Sequence, residues 1–600
     1  AFTTGRHHWT PYRIVGAGRE TWLKMWRIYA QRYRNAGAAV LMFELFNEPA
    51  YTDWGAQHPR EFAAWLRRRH GTLDALNAAW KTSFASWEEA AAIDSEARLK
   101  EVPGRFLDYD DYLSERFADL TAAGVAAVQA ILPHTLVGVQ PMGGYTLEPR
   151  EAVWKHRLIP HETVVLTPTG GGRWSPGAST ARPAASTVAH PMAGAPLEDD
   201  LLLALAGNKM LVDNETYLRG QTARDTRNRL WEHVVAGLDG LTVFSWSKRG
   251  WSWWKDREAL VVEADRFPYS ALIPLARRTD ALRGIYDFAA EVQPLANRIL
   301  PKPWGPPPRV GLLFSWPQAR RWALEPTARN KTPHYHAALR YGHWNAALLP
   351  SDRVAQGALA DFDVLIAAGV RVAEPELPAR LETFVRGGGV LVLGEEVPGE
   401  DLYGRSLDTA ERVGVRFGAW EGPYEGEVRW PPTPLTHSIA GVVGRLPDRR
   451  VVTVSEGVPL VRTADGYPVV TRRKLGSGLV YAVGADLAGY PLAKLLAAVL
   501  EDAAAAQGLP LQRWRAAEVC TPEGLLAPNV LVSRRSYPRH HAVLLLNRDE
   551  YPKRVRVQVP GLTGRWRASE GIAKKALPSS RGWYELELDR MAPAVLLLER

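Results

Sequence analysis

The chain has almost no cysteine: Cys520 is the single one among its 600 residues. One thiol cannot form an intrachain disulfide or a cluster of thiolate metal ligands, so folding does not depend on oxidation. No stretch approaches the ~18 uninterrupted apolar residues that a membrane-spanning helix needs. We therefore expect a globular protein without disulfides, without a bound metal and without a membrane partner.

Concentrated charge of one sign is also missing, although the net charge is +9. The basic residues are scattered in short groups, for example at 67–69, 320–321 and 472–474. Such groups are typical of solvated helix faces and strand ends, whereas a nucleic-acid groove concentrates its basic residues. No predicted strand leads into a Gly-x-Gly-x-x-Gly turn, which disfavours a flavin or nicotinamide enzyme. We expect no nucleic-acid partner and no cofactor.

The composition that is present suits a folded protein of several domains. At roughly 150 residues per domain, the chain should divide into about three or four domains. Apolar residues make up 46% of the chain and charged residues 23%, which are ordinary proportions for globular proteins. The 23 tryptophans offer flat platforms of the kind that bind sugar rings, although most of them should lie in the core.

In the first half of the chain, short apolar runs alternate with amphipathic helical stretches. This alternation predicts a parallel sheet covered by helices. After a strand that ends at Asn47 and Glu48, the predicted strands are 136–140, 164–167, 210–214 and 241–246. The predicted helices include 59–69, 73–80, 112–131 and 222–236. Polar or aromatic residues cluster where each strand ends, which is typical of a (β/α)8 barrel.

Two of these strand ends carry a glutamate. Asn47, Glu48 and Pro49 close the strand that contains the apolar run 38–43, and the segment 209–212 runs into a second acidic ending at 213–215 that contains Glu215. Glycosidic bond cleavage needs one carboxyl to deliver a proton and another to face a positively charged transition state. Paired glutamates in one cleft therefore suggest glycoside chemistry. The alternatives are a non-catalytic sugar-binding protein and a scaffold that works through assembly.

The same two strands contain a second acid each, Glu44 and Asp213. Both lie deeper by period-two counting, so we assign them to inner layers of the barrel or to hydrogen bonds that support the site. When one carboxyl of such a catalytic pair is ionised, it should raise the pKa of the other and keep that carboxyl protonated near neutral pH. A carboxyl separation of about 5 Å implies retention of the anomeric configuration, and ~6.5 Å or more implies inversion. We expect retention.

These features resemble a known clan of enzymes. Asn47-Glu48-Pro49 after one strand, Glu215 after a later strand, and Trp246 closing the next are similar to strands four, seven and eight of the clan A glycoside hydrolases. Within that clan, the segments 5–8, 71–80 and 237–246 are similar to family 42 beta-galactosidases. The resemblance implies that Asn47 binds the substrate, that Glu48 is the acid/base and that Glu215 is the nucleophile.

The resemblance also suggests further contacts with the glycoside or oligosaccharide substrate. Trp246 is expected to form the floor for the sugar ring, and the other predicted substrate-binding residues are Arg6, His7, Tyr217 and Trp174. Arg6 and His7 lie near a chain terminus, where a solvated surface is the alternative. Trp174 belongs to the loop 170–199, which is either a lid over the cleft or a disordered insertion. Mannosides, agar fragments and other polysaccharides remain open as substrates.

The position of Glu48 predicts an incomplete barrel. If this residue ends strand four, strands one to three should precede it, and three barrel units need on the order of 90 residues. Only a short segment precedes Asn47. We therefore expect a partial (β/α)8 barrel that contains strands four to eight, with the first units encoded upstream of Ala1.

We predict three domains in all: a catalytic barrel over 1–300, an α/β domain over 309–510 and a β-sandwich-like domain over 511–600. The segment 301–308 is a proline-rich linker. The α/β domain reads as doubly wound, flavodoxin-like or amidotransferase-like, with strands at 310–315, 364–368 and 390–393 and helices at 378–386 and 491–506. It resembles the trimerisation domain of family 42 enzymes, which implies a homo-oligomer such as a trimer. The glycines at 387–389 precede a strand, so we predict a turn there and not a phosphate loop. Antiparallel strands are predicted at 541–546, 555–559 and 583–588.

Overall fold

The structure of the chain is a computed structural model that describes most of its residues. The described segments are 16–36, 40–51, 59–93, 95–141, 153–167, 196–217, 222–244, 279–302, 304–321, 324, 331–421, 426–430, 441–446, 449–463, 465–527, 529–562 and 565–600. Within these segments, no helix is both long enough and apolar enough to cross a lipid bilayer.

Parallel strands follow one another in chain order through the first 244 residues. Their bounds are β1 Met42–Asn47, β2 Leu136–Gln140, β3 Val164–Thr167, β4 Met210–Tyr217 and β5 Gly240–Phe244. β1 pairs with β2, and β4 lies between β3 and β5. The backbone N–H of Thr163 donates to the carbonyl of Val137 at 2.9 Å and so joins the two groups. The strands predicted at 136–140 and 164–167 are confirmed at both ends.

Helices cover this sheet on one side. Their bounds are α1 Gly16–Arg32, α2 Pro59–His70, α3 Leu73–Trp80, α4 Trp87–Ala91, α5 Glu96–Lys100, α6 Pro103–Gln129, α7 Lys155–Leu158, α8 Pro196–Ala206, α9 Ala223–Ala236, α10 Thr279–Val292 and α11 Ala296–Ile299. Thr72 caps α3 by accepting a hydrogen bond from the N–H of Ala75. The helix predicted at 112–131 was placed too late: α6 begins at Pro103, because proline suits the first turn of a helix, where its missing N–H costs nothing.

The middle of the chain folds around one seven-stranded sheet. Its strands lie in the order β14-β15-β16-β9-β8-β6-β7, and the run from β16 to β7 is parallel. Their bounds are β6 Val310–Phe314, β7 Ala346–Pro350, β8 Val364–Ala368, β9 Val390–Gly394, β14 Val458–Arg462, β15 Pro468–Leu475 and β16 Gly478–Val483. Between β9 and β14 lie β10 Val415–Glu421, β11 Gly426–Trp430, β12 Gly441–Leu446 and β13 Arg449–Val454.

Helices flank this middle sheet. Their bounds are α12 Trp316–Arg321, α13 Thr332–Tyr341, α14 Ser351–Ala355, α15 Leu377–Arg386, α16 Thr409–Val413 and α17 Gly489–Gln507. The predicted turn at 387–389 is confirmed, because it joins α15 directly to β9, with Gly388 at a φ of +111° that favours glycine. The predicted trimerisation role of this region stays a prediction.

The predicted linker does not separate two cores. A single apolar cluster contains side chains of α8 and α9 together with side chains of the middle sheet, among them Leu205, Trp231, Leu312 and Ile366. The first and middle regions are therefore packed together as one body by hydrophobic burial.

Asp108, buried on α6, fixes a second contact between the two regions. Its Oδ2 accepts a hydrogen bond from Trp80 Nε1 at 2.8 Å and lies 2.7 Å from Nε2 of His70. Its Oδ1 accepts from the hydroxyl of Tyr403, in a loop of the middle region, at 2.6 Å. A buried carboxylate is tolerated only when its oxygens are paired, so this loop is held against α6 by Asp108.

The last 90 or so residues form two antiparallel sheets, of order β17-β20-β24-β23 and β18-β19-β25-β21-β22. The strands are β17 Glu518–Cys520, β18 Val530–Ser536, β19 His540–Asn547, β20 Lys553–Gln558, β21 Arg567–Glu570, β22 Lys575–Leu577, β23 Ser579–Ser580, β24 Trp583–Leu588 and β25 Pro593–Glu599. Both sheets contribute side chains to one core, including Val543, Val555 and Leu586. This is the packing of a β-sandwich.

Candidate active site

β1 has a β-bulge between Glu44 and Asn47, where it contains one residue more than the neighbouring strand β2. Glu44 pairs with Gly138 of β2 and Asn47 pairs with Gln140, so three steps on β1 match two on β2. The bulge puts two consecutive side chains, Leu45 and Phe46, into the core behind the sheet. Alternation then resumes with Asn47 on the side of Glu44, exposed at the mouth of the strand. Bulges often re-aim side chains in this way beside functional sites.

β4 has a matching bulge at the second glutamate. Asp213 pairs with Leu241 of β5 and Thr216 pairs with Val243, so β4 also gains one residue over its neighbour. Asn214 and Glu215 fall inside this bulge, and both are half-buried between the fully buried Asp213 and Thr216. The two adjacent side chains consequently reach the same neighbour on β2.

That neighbour is Gln140, the last residue of β2. Its backbone carbonyl accepts the N–H of Glu48 at 2.9 Å, and its side-chain amide donates to Oε2 of Glu215. Its amide oxygen accepts a hydrogen bond from Asn214 Nδ2. Gln140 therefore links the end of β1 to the end of β4, and these two strand ends carry the two predicted catalytic glutamates.

Glu48 itself has unusual backbone geometry. Its φ is +44°, in the left-handed region that non-glycine residues seldom occupy. The half-buried residue is held there by its N–H bond to Gln140 and is followed by Pro49. Strained residues of this kind cluster at functional sites, where the surrounding structure maintains them.

Glu44 is a third acid near Glu48 and Glu215. Oε2 of its half-buried carboxyl accepts a hydrogen bond from Asn214 Nδ2 at 2.8 Å. Burial raises the pKa of Glu44 to about 7, and the charges of Glu215 and Glu48 act in the same direction. The Asn214 hydrogen bond and the charge of Lys155 oppose this rise. Of the two alternatives for Glu44, an inner layer or supporting hydrogen bonds, the structure shows a hydrogen bond to a side chain of β4.

Asp213 supports the site from the opposite face of β4. Its Oδ1 accepts the backbone N–H of Glu215 at 3.0 Å, which holds the bulge in place. Its Oδ2 lies 3.6 Å from Nε2 of His233 on α9. Burial, with a contribution from Arg229, lowers the pKa of His233 to about 3, so this imidazole is neutral at physiological pH.

A buried ion pair fixes the strand just before Gln140. The ammonium of Lys155 donates to both carboxylate oxygens of Glu162 at 2.8 Å and to the carbonyl of Val139 at 2.6 Å. Oε1 of Glu162 in turn accepts the N–H of Val139 at 3.2 Å. Both polar backbone groups of Val139 are thus bonded to the pair, which sets the position of the following residue.

The structure brings together Asn47, Glu48 and Glu215 among the predicted site residues. Tyr217 ends β4, two residues beyond Glu215. The predicted residues Arg6, His7, Trp174 and Trp246 lie outside the described residues, as does most of the loop 170–199. Gln140 and Asn214 were missed, although a polar residue closing the apolar run 136–139 was a usable signal.

The pKa of Glu44 predicts a pH dependence of stability. Between about pH 4.5 and pH 7 the folded state keeps a proton on Glu44 that the unfolded chain releases, so the unfolding free energy falls as pH rises. Glu44→Gln should therefore gain stability relative to wild type over this window. Melting temperatures measured from pH 4.5 to 8 check this, with Glu20→Gln on the exposed face of α1 as control. A constant difference between Glu44→Gln and wild type would contradict the assignment.

Comparison with known proteins gives one consistent likeness. A model of glycoside hydrolase family 42, described as beta-galactosidase, matches residues 2–156. Beta-galactosidase BglY of Alicyclobacillus acidocaldarius is 25% identical over 479 residues, covering 75% of this chain and 65% of the relative. A beta-galactosidase of Arthrobacter sp. is 23% identical over 522 residues, covering 79% of this chain and 67% of the relative. The chain thus spans about two thirds of the length of these curated relatives.

The fold is also similar to that of solved beta-galactosidase structures. The crystal structure of the cold-adapted beta-galactosidase from Rahnella sp. R3 superposes with a TM-score of 0.74 at 17% identity. The superposition covers 98% of this chain and 82% of that one. At this identity the likeness establishes a shared fold. The chain resembles the clan A glycoside hydrolases of family 42.

Proposed function

We propose that the protein is a retaining glycoside hydrolase that cleaves beta-galactosides, with Glu48 as acid/base and Glu215 as nucleophile. The observation that carries this proposal is the double contact of Gln140, which bonds the backbone of Glu48 and the carboxylate of Glu215. The resemblance to family 42 assigns the roles. A sugar-binding protein would have no use for this pairing.

The first step forms a covalent intermediate. Glu48 delivers a proton to the glycosidic oxygen while a carboxylate oxygen of Glu215 attacks the anomeric carbon, and the bond to the leaving group breaks. The N–H from Gln140 occupies Oε2 of Glu215 and holds the carboxylate in one orientation. A fixed nucleophile reacts faster because less entropy is lost in reaching the transition state.

The second step reverses these roles. Glu48, now ionised, takes a proton from water, and the resulting hydroxide attacks the anomeric carbon and releases Glu215. Two inversions give net retention. In this mechanism Asn47, which is exposed at the end of β1, donates a hydrogen bond to the sugar 2-hydroxyl, and this bond strengthens as positive charge develops.

A panel of nitrophenyl beta-glycosides tests the proposal. We expect release of nitrophenol from the beta-galactoside, and proton NMR of the first turnovers should show the beta anomer of free galactose. Release from another sugar would keep the mechanism and change the substrate. If no glycoside or galactan fragment is cleaved, the proposed function is contradicted. If the alpha anomer appears first, the retaining mechanism is contradicted.

A further inference from the structure

We infer that Glu44 is a positioning residue that anchors a relay of two side-chain amides, and that this relay presents an N–H to the nucleophile Glu215. The inference rests on the proposed function for the role of Glu215. It adds to that function a residue whose described hydrogen bond goes to Asn214, and which acts on the nucleophile through Asn214 and Gln140.

The relay has three consecutive hydrogen bonds. Asn214 Nδ2 donates to Glu44 Oε2 at 2.8 Å and also to Gln140 Oε1. Gln140 Nε2 then donates to Glu215 Oε2. The three strands β1, β2 and β4 are linked by these side chains at the level where the two bulges occur.

The chemistry of the groups permits one direction only. Ionised Glu215 accepts hydrogen bonds and donates none, so Gln140 must turn its NH2 group toward Glu215 and its oxygen toward Asn214. Asn214 must then present its own NH2 group, which has a second hydrogen to satisfy. Glu44 supplies the acceptor for that hydrogen. Without an acceptor at position 44, this second N–H loses its described partner, and the Asn214 side chain is then held by its bond to Gln140 alone.

Glu44 suits this place in both of its protonation states. The charges that face it come from Glu48 on its own strand, Glu215 on β4 and Lys155 on α7. Burial raises the pKa of Glu44 to about 7, so both states are populated near neutral pH. A neutral carboxyl carries its proton on one oxygen and still accepts through the other, so the hydrogen bond from Asn214 persists.

A double-mutant cycle between Glu44 and Gln140 tests the relay, because no described hydrogen bond joins these two side chains directly. We expect Glu44→Leu to lower kcat about 10- to 100-fold with little change in KM, the size typical of supporting residues. Glu44→Gln should restore most of kcat, since its amide oxygen accepts from Asn214. In a Gln140→Leu background, Glu44→Leu should cause little further loss. Glu20→Leu on α1 is the control, and circular dichroism checks folding.

Independent effects would overturn the inference. If the losses from Glu44→Leu and Gln140→Leu multiply, or if Glu44→Leu leaves kcat unchanged, Glu44 does not act through the amides. If wild type hydrolyses no glycoside, the proposed function fails separately. Carbon-13 NMR of labelled glutamate carboxyls then decides: the relay requires the Glu215 signal to shift in Glu44→Leu, and an unchanged signal rejects it.

Discussion

Replacing Glu215 with alanine is expected to lower kcat on nitrophenyl beta-galactoside roughly 10⁶-fold, the scale found when a covalent nucleophile is removed from an enzyme. Without the carboxylate, no glycosyl intermediate forms, and only binding and proton donation remain. The alanine side chain also offers no acceptor to the side-chain N–H of Gln140, which bonds Glu215 in the wild type. Steady-state kinetics against wild type measure the loss, and Glu585→Ala, which changes an exposed side chain of β24 in the C-terminal sandwich, is the surface control.

Chemical rescue identifies the role of the missing group. Azide can occupy the space vacated in Glu215→Ala and attack the anomeric carbon from the same face, so the product should be the alpha-galactosyl azide. The configuration of this product distinguishes a lost nucleophile from a lost acid. Activity of Glu215→Ala within tenfold of wild type would refute the assignment.

Glu48→Ala is expected to slow the reaction by about 10² to 10⁴-fold on substrates whose leaving group needs a proton. A dinitrophenyl leaving group departs as a stable anion, so its release should fall far less than that of a methyl or lactose substrate. The measurement compares kcat/KM for these leaving groups in wild type and in Glu48→Ala. Glu585→Ala again serves as control.

The second step of the reaction, in which the glycosyl intermediate is released, gives an independent test of Glu48 as the general base. Azide needs no general base, so it should intercept the glycosyl intermediate in Glu48→Ala and give the beta-galactosyl azide, opposite to the product expected from Glu215→Ala. An equal loss on all leaving groups, with no beta azide formed, would rule out Glu48 as the acid/base.

Much of the scaffold could be predicted because apolar runs and helix signals are local. The runs at 136–140 and 164–167 gave strand bounds that the structure confirms, and the helix predicted at 73–80 matches α3. The placement of Glu48 directly after β1 followed from the same reasoning, whereas the strand predicted at 210–214 was too short, since β4 continues past Glu215 to Tyr217. The proximity of these two strand ends follows from the parallel order of β1 to β5, since parallel strands end at one edge.

The details of the cleft could not be predicted because they depend on register. Simple alternation places Phe46 on the face of Glu44, whereas the bulge sends Phe46 to the core, where it stacks on Trp22 with ring centroids 4.9 Å apart. A bulge is defined by the partner strand and leaves no periodic signal in its own sequence. The roles of Gln140 and Asn214 depend on these bulges and were invisible for the same reason.

The extra residue in β1 and in β4 also decides how this site could be moved to another protein. Grafting Asn47, Glu48 and Glu215 onto regular strands of a designed barrel would send some of these side chains outward, since each strand would be one residue short of the required register. The transplantable unit is the ends of β1 and β4 together with their irregular pairing. Engineers who shorten or idealise these strands would keep every functional residue and lose the geometry.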